Sequence, residues 1–336
     1  MIRSKILGTG MYHPSKCVTN FDLSKTMDTS DEWIQQRTGI KQRYWIEDEK
    51  QTTSDLALEA CLVALKNANV KKEEIDLLIL STLSPDHEFP GTACFLQSKL
   101  NILGIPALDV RQQCTGFIYA MSIADQFIKT QMYKKVLVVG AEIHSKGLNK
   151  TTQGRDVSVL FGDGAGAVVL GATEVQNKED SQIFSTHIHA DGTFAKELWV
   201  QAPGFAYPND RLDLSAIERG EHFPKMNGKN IFTHAVKRMP EAIVECLNAN
   251  QFKLEDVDLF LFHQANLRIN EMVAKLLKIP NEKVFNTIDR FANTTSATIP
   301  IGMNEALKAG KLKKGMLVAT AAFGSGFTWG SALLRW

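Results

Sequence analysis

A thiol, an imidazole and a carboxamide, at Cys114, His263 and Asn293, stand where the surrounding sequence breaks from apolar runs into turns. Pro106 to Val110 reads as a short strand, and Thr115-Gly116-Phe117 opens a helix with apolar residues at Phe117, Met121, Ala124 and Ile128. Cys114 therefore sits at a strand-to-helix turn. A thiol at a helix N-terminus meets the positive end of the macrodipole and unpaired N–H groups, which predicts a lowered pKa and a nucleophile. His263 follows the apolar run Leu259-Phe260-Leu261-Phe262 and precedes a helix beginning near Asn266. It occupies the carboxyl end of a strand, where α/β sheets place their chemistry. Asn293 lies in the small, polar segment Phe291 to Ala297, ahead of a helix starting near Pro300. Taken singly, each residue also fits a plainer role as a core cysteine, a satisfied buried histidine or a turn asparagine.

The elements that position them repeat. Asn67-Ala68-Asn69 followed by Glu74 to Leu80 matches Asn248-Ala249-Asn250 followed by Asp256 to Phe262. Lys135 to Val139 corresponds to Gly315 to Ala319, and Phe161-Gly162-Asp163-Gly164 to Phe323-Gly324-Ser325-Gly326, each leading into another apolar strand. Continuous apolar strands alternating with amphipathic helices predict mostly parallel sheets covered on both faces. The duplication predicts two such units, residues 1–175 and 176–336, meeting between Ala172 and Asp180. Gly162, Gly164 and Gly166 have the wrong spacing for a dinucleotide site and no P-loop lysine, so they are expected to make tight turns between paired strands.

Composition narrows the function classes. Lys plus Arg number 38 against 37 acidic residues, so no global field draws the chain to nucleic acid or an anionic membrane. The longest apolar runs fall far short of the ~20 residues of a membrane span, and Met1 to Gly10 lacks a signal peptide's apolar stretch. A cytoplasmic protein is expected. The other cysteines, Cys17, Cys61, Cys94 and Cys246, show neither CxxC nor Cys/His spacing, which argues against a zinc site and a disulfide framework.

The chain resembles the β-ketoacyl-acyl-carrier-protein synthase III enzymes of fatty acid synthesis, in the thiolase-like superfamily. The resemblance runs through Gly8-Thr9-Gly10, Thr29 to Ile34 with Arg37 to Ile40, Asp109-Val110 with Cys114 and Gly116-Phe117, and Phe161 to Ala167. It continues through His263 to Arg268, Asn293-Thr294 and Gly326 to Leu333. It implies a five-layered αβαβα fold of two duplicated halves, a homodimer, and a reaction in which an acyl-CoA primer loads Cys114 before malonyl carrier protein enters. Backbone N–H groups of Cys114 and Ser325 would hold the oxyanion, and His263 and Asn293 the enolate formed on loss of CO2. By matching positions, Trp33 and Arg155 would sandwich the adenine of CoA, with Arg37 and Lys229 near its phosphates and Asn266 on the pantetheine arm. Phe89 would reach across the dimer to close the partner's acyl pocket, and Arg268 and Lys275 would dock the acidic carrier protein. No metal and no cofactor beyond the CoA of the substrate is implied.

Three features depart from that family. Gln112-Gln113 precede the nucleophile where small residues are usual, Ser325 replaces a glycine in a turn, and the segment from Leu198 to Lys225 is longer. A longer segment at the substrate entrance leaves room for a rival, a specialised thiolase-like synthase with a medium- or long-chain primer in a secondary pathway. A degradative thiolase is disfavoured, because Phe323-Gly324-Ser325-Gly326 lacks the second cysteine that reaction needs. A non-catalytic acyl-CoA-binding subunit is disfavoured by the presence of all three reactive side chains.

Overall fold

The computed structural model describes residues 1–207 and 210–336. In chain order its strands begin with β1 (Ile2–Tyr12), β2 (Lys16–Thr19), β3 (Gln42–Trp45), β4 (Leu77–Ser81), β5 (Ala107–Val110), β6 (Lys135–Glu142) and β7 (Gly164–Glu174). They continue with β8 (Gln182–Ala190), β9 (Leu198–Trp199), β10 (Lys225–Met226), β11 (Leu259–Phe262), β12 (Leu317–Gly324) and β13 (Thr328–Arg335).

Two sheets carry the architecture, in the orders β1-β7-β6-β4-β5 and β11-β12-β13-β8. Read from its other end, the second sheet reproduces β1-β7-β6-β4 of the first. The pairing senses agree as well: β1 with β7 and β8 with β13 are antiparallel, as are β7 with β6 and β13 with β12, while β6 with β4 and β12 with β11 are parallel. In the first sheet β5 continues parallel to β4. In the second, a lone parallel bridge between Phe260 and Val284 stands in that place. The repeated sequence motifs are thus a repeated topology.

Every residue of β4, β11 and β12 is buried, because helices cover both faces of each sheet. Leu78 and Leu80 face outward onto the helices Thr53–Ala68 and Thr92–Leu100, while Leu77 and Ile79 face inward. Phe260 and Phe262 pack outward on the helices Gly228–Ala249 and Leu267–Leu277. Between the sheets lie the helices Gly116–Lys129 and Thr298–Lys308. Their Phe117, Met121, Ile299 and Met303 form one cluster with inward residues of both sheets. The five layers are those of a thiolase-like fold, and the connection between the halves is residues 175–181.

One glycine reading is corrected by the fold. Gly164 and Gly166 lie within β7 rather than in a turn. A β-carbon on Gly166 would sit 2.8 Å from both Ile301 N and Pro300 Cγ, so the bare backbone there lets a middle-layer helix lie against the strand. In the second half the turn reading holds, since Gly326, at φ 136°, reverses the chain between β12 and β13.

Gly140 in β6 brings the site's own loop equally close. A β-carbon there would meet Ser296 O at 2.4 Å and Ala297 N at 2.9 Å, both backbone atoms with little freedom to retreat. Gly140→Ala should therefore lower the unfolding free energy by about 1–3 kcal/mol in urea titration, the usual cost of overpacking. An unchanged midpoint would show that the Thr295–Ala297 turn moves freely.

Candidate active site

Cys114 enters the site from β5 through a tight turn, Gln113–Thr115, that runs directly into the helix Gly116–Lys129. Gln113 holds φ 42°, a left-handed conformation unfavourable for a side-chain-bearing residue, which explains why small residues suit this place better. Cys114 is buried, and its own backbone N–H and that of Ser325 face its sulfur. Burial nevertheless pushes the thiol up to about 12, with the Glu142 carboxyl adding to the rise and the two N–H groups opposing it. The lowered pKa expected from the helix terminus is therefore overturned. Desolvation of the charged form outweighs the dipole.

Ser325 does not need the left-handed conformation that a glycine there would suggest, since the positive φ falls on Gly326. Its backbone donor is kept, and its side chain does something a glycine could not, donating a hydrogen bond to the carbonyl of Leu198. The turn is also tied to the nucleophile by the Thr115 and Thr328 hydroxyls, 2.7 Å apart, with Thr328 Oγ1 donating to Ser325 O at 3.1 Å.

His263 follows β11 and prolongs its pairing, its N–H donating to Ala321 O at 2.9 Å. The imidazole is buried; Nδ1 lies 2.7 Å from Thr298 Oγ1, and Nε2 has no partner among the described residues. Burial pushes its pKa down to about 3, so the ring is neutral at ordinary pH. Asn293 is fixed on three sides: its N–H donates to Leu160 O, its carbonyl accepts from Gly162 N, and its side-chain Oδ1 accepts from Thr295 N at 2.8 Å. With the oxygen so identified, the amide NH2 is the end left to serve a ligand. Ala292 and Thr295, at φ 56° and 50°, flank it in strained backbone.

A cavity of about 530 Å3 joins these groups. Cys114, Asn293 and Gly324 line it, apolar walls come from Leu160, Phe161, Leu198, Met226, Ile231, Phe232 and Phe323, and Lys229, Asn266 and Arg268 give it polar lining. His263 is not part of that lining. Trp33 lies within reach of both cations assigned near it, with the Arg37 and Arg155 guanidinium carbons 4.5 and 4.9 Å from its ring centre. Asn266 caps its helix, its Oδ1 accepting from Arg268 N and its Nδ2 donating to Arg37 O at 3.0 Å. Arg268 and Lys275 are both exposed on the helix Leu267–Leu277. Phe89, 78% exposed, does not line the cavity of its own chain. The Leu198–Lys225 segment, of which Pro208 and Asn209 lie outside the described residues, folds back through the β9–β10 pair. Leu198, at its start, lines the cavity.

The sequence reading missed Glu142. It is wholly buried at the end of β6, accepting from Leu83 N at 3.1 Å, Thr82 Oγ1 at 3.1 Å and Ser84 Oγ at 2.9 Å, with Ser296 Oγ 2.7 Å away. Burial pushes it up to about 7 against those hydrogen bonds. A carboxylate closing an uninterrupted apolar strand was the available signal.

The 3-oxoacyl-[acyl-carrier-protein (ACP)] synthase III family matches residues 108–192, and its C-terminal counterpart matches residues 247–336. The chain is 45% identical over 335 residues to the β-ketoacyl-[acyl-carrier-protein] synthase III of Caldanaerobacter subterraneus subsp. tengcongensis, covering 100% of this chain and 98% of the relative. It is 47% identical to that of Ehrlichia canis, with 100% of both covered. The crystal structure of 3-oxoacyl-[acyl-carrier-protein] synthase III from Aquifex aeolicus VF5 superimposes with a TM-score of 0.88 at 43% identity, covering 99% of this chain and 100% of that one.

Glu142 gives the thiol a testable pH response. Below about pH 7 the carboxyl is protonated and carries no charge; above it, the carboxylate makes the nearby thiolate harder to form. Glu142→Gln should therefore alkylate at Cys114 with iodoacetamide at the parent rate near pH 6 and faster at pH 9, by up to ~10-fold per unit of thiol pKa regained. Peptide mapping separates Cys114 from the exposed Cys17 and Cys94. Equal rates at both pH values, in a variant with parent-like circular dichroism, would remove Glu142 from the electrostatics of the thiol.

Proposed function

The chain belongs to the β-ketoacyl-[acyl-carrier-protein] synthase III family, and we propose that it condenses an acyl group taken from acyl-CoA with malonyl carried on acyl carrier protein. The products are β-ketoacyl carrier protein, CO2 and CoA, and the reaction initiates fatty acid synthesis in the cytoplasm. The observation that carries this reading is a buried thiol faced by two backbone N–H groups, in the lining of a cavity that Asn293 also lines.

In the first half-reaction Cys114 Sγ adds to the thioester carbonyl, whose oxygen becomes an anion between the N–H groups of Cys114 and Ser325. The C–S bond to CoA then breaks, and the thiol proton leaves on the CoA sulfur. In the second, the malonyl C–C bond breaks and CO2 departs, leaving its electron pair as an enolate whose oxygen is met by His263 Nε2–H and the Asn293 amide. The enolate carbon attacks the acyl carbonyl on Cys114, the thiolate departs and recovers a proton from solvent, and the carrier protein leaves with the lengthened chain. Both donors are neutral, so neither has to gain a proton first.

The same reading assigns the cavity's polar lining to CoA. Adenine stacks between Trp33 and Arg155 once the guanidinium, in direct contact with the indole here, swings away from its ring; the phosphates approach Arg37 and Lys229, and Asn266 meets the pantetheine arm. Arg268 and Lys275 receive the acidic carrier protein, and in a homodimer the exposed Phe89 closes the partner's acyl pocket. Leu198, at the start of the longer segment, lines the same cavity as Cys114, Lys229 and Asn266, so the segment touches the substrate's path. The cavity that holds Cys114 is already walled by Leu160, Phe161 and Phe323, which favours a short primer.

Cys114→Ala should form no acyl-enzyme, and a stable adduct on that variant in intact-protein mass spectrometry would refute the nucleophile. Asn293→Ala should load acyl groups normally yet condense ~100 to 1,000-fold more slowly, the usual cost of losing one preorganised donor. Equal losses in both half-reactions would make Asn293 structural.

The primer is read from kcat/KM for acetyl-, butyryl-, octanoyl- and decanoyl-CoA with one malonyl carrier protein. The expected profile peaks at the short chains and falls with length, since overpacking a fixed pocket costs about 1–3 kcal/mol, or ~5 to 150-fold. A maximum at octanoyl- or decanoyl-CoA would favour the specialised long-primer synthase.

A further inference from the structure

Thr298 begins the helix Thr298–Lys308 and is 2% exposed. Its hydroxyl lies between two groups, His263 Nδ1 at 2.7 Å and the carbonyl of Thr295 at 3.0 Å, and carries a single proton. If that proton goes to the carbonyl, Nδ1 must be the protonated nitrogen and Nε2 turns a bare lone pair toward the substrate. If it goes to Nδ1, the ring proton is forced onto Nε2. The Thr295 carbonyl already accepts the backbone N–H of Thr298, so it does not depend on the hydroxyl. A lone pair at Nδ1 in this buried place would depend on it, because an unpaired buried acceptor is costly. The shorter of the two contacts is the one to nitrogen.

We propose that the Thr298 hydroxyl donates to His263 Nδ1 and thereby fixes the imidazole as the tautomer with its proton on Nε2, making Thr298 a positioning residue for the decarboxylation half-reaction. This rests on the reading of His263 as an N–H donor to the enolate. The ring has two distinct nitrogens, and the partner of one decides what the other offers. A neutral imidazole in the wrong tautomer would turn a lone pair toward a developing negative oxygen, a repulsion where the reaction needs a donor. Burial holds the ring neutral, down to a pKa of about 3, so protonation does not rescue the wrong tautomer at ordinary pH.

The tautomer can be read without turnover, by two-bond 1H–15N correlation on the full protein labelled with 15N-histidine, with His263→Ala identifying the His263 signals. The expected result is an unprotonated Nδ1 and a protonated Nε2 in the parent and in Thr298→Ser, and a mixture of tautomers in Thr298→Val. In kinetics, Thr298→Val should load acyl groups at the parent rate but condense ~10 to 100-fold more slowly, the scale seen when the partner that orients a functional histidine is removed, while Thr298→Ser should recover most of the rate. A protonated Nδ1 in the parent overturns the proposal, and so does parent-like condensation by a folded Thr298→Val. The parent and Thr298→Ser spectra decide the matter even if the valine variant does not fold. Failure of the underlying reading looks different: His263→Ala would then condense normally, whatever the tautomer of the parent.

Discussion

A β-carbon on Gly324 would sit 2.5 Å from Cys114 Cβ and 3.1 Å from its sulfur, so the C-terminal half touches the nucleophile with bare backbone. That approach places the next N–H, from Ser325, on the sulfur beside the N–H of Cys114 itself. Each half supplies one donor, and neither half alone makes the pair. The duplicated fold makes the meeting possible, because β5 and β12, one from each half, both release their chains toward the site, ahead of Cys114 and of Ser325. The hydroxyl pair Thr115 and Thr328 then clamps the two turns across a sequence separation of 213 residues. Backbone donors held this way need no reorganisation when negative charge forms at the carbonyl they face.

The clamp has a conformational cost that falls on three residues with side chains in left-handed backbone: Gln113, Ala292 and Thr295. Each adjoins or closely follows a functional side chain. Such conformations cost of the order of 1–3 kcal/mol each and persist only where surrounding structure determines them. Here that structure is the middle layer. The two helices between the sheets are packed from both sides, so the turns that precede them, which carry Cys114 and Thr295, have little room to relax.

Much of this arrangement was legible in the sequence, and the limits are instructive. The matched Glu74 to Leu80 and Asp256 to Phe262 segments became β4 and β11 in equivalent places, because uninterrupted apolar runs bounded by charged turns suit only strands covered on both faces. Cys114 and Asn293 were recognised as chemistry and meet in one cavity. Glu142 and Thr298 were not, because nothing within their own segments says that a distant loop will carry Ser296 to one or His263 to the other. Gly164 and Gly166 were misread for the same reason: both lie against the helix Thr298–Lys308, more than a hundred residues away.

The thiol pKa exposes the deepest limit and also clarifies the chemistry. Local sequence offers the helix terminus, which favours thiolate, but the fold buries the sulfur, and burial prevails. The same burial drives His263 the other way, so thiol and imidazole are both neutral rather than a thiolate–imidazolium pair. A charged pair would need compensation for two desolvated ions in the resting enzyme. A neutral site presents dipoles instead: two backbone N–H groups, a carboxamide and an imidazole whose outer nitrogen has no partner among the described residues. Dipoles of that kind cost little to keep buried while no ion is present, and they gain most when an oxyanion or enolate forms in a cavity of low polarity. In the proposed reaction, the burial that makes Cys114 a weak acid is therefore the condition under which these four neutral donors would stabilise the anions of both half-reactions.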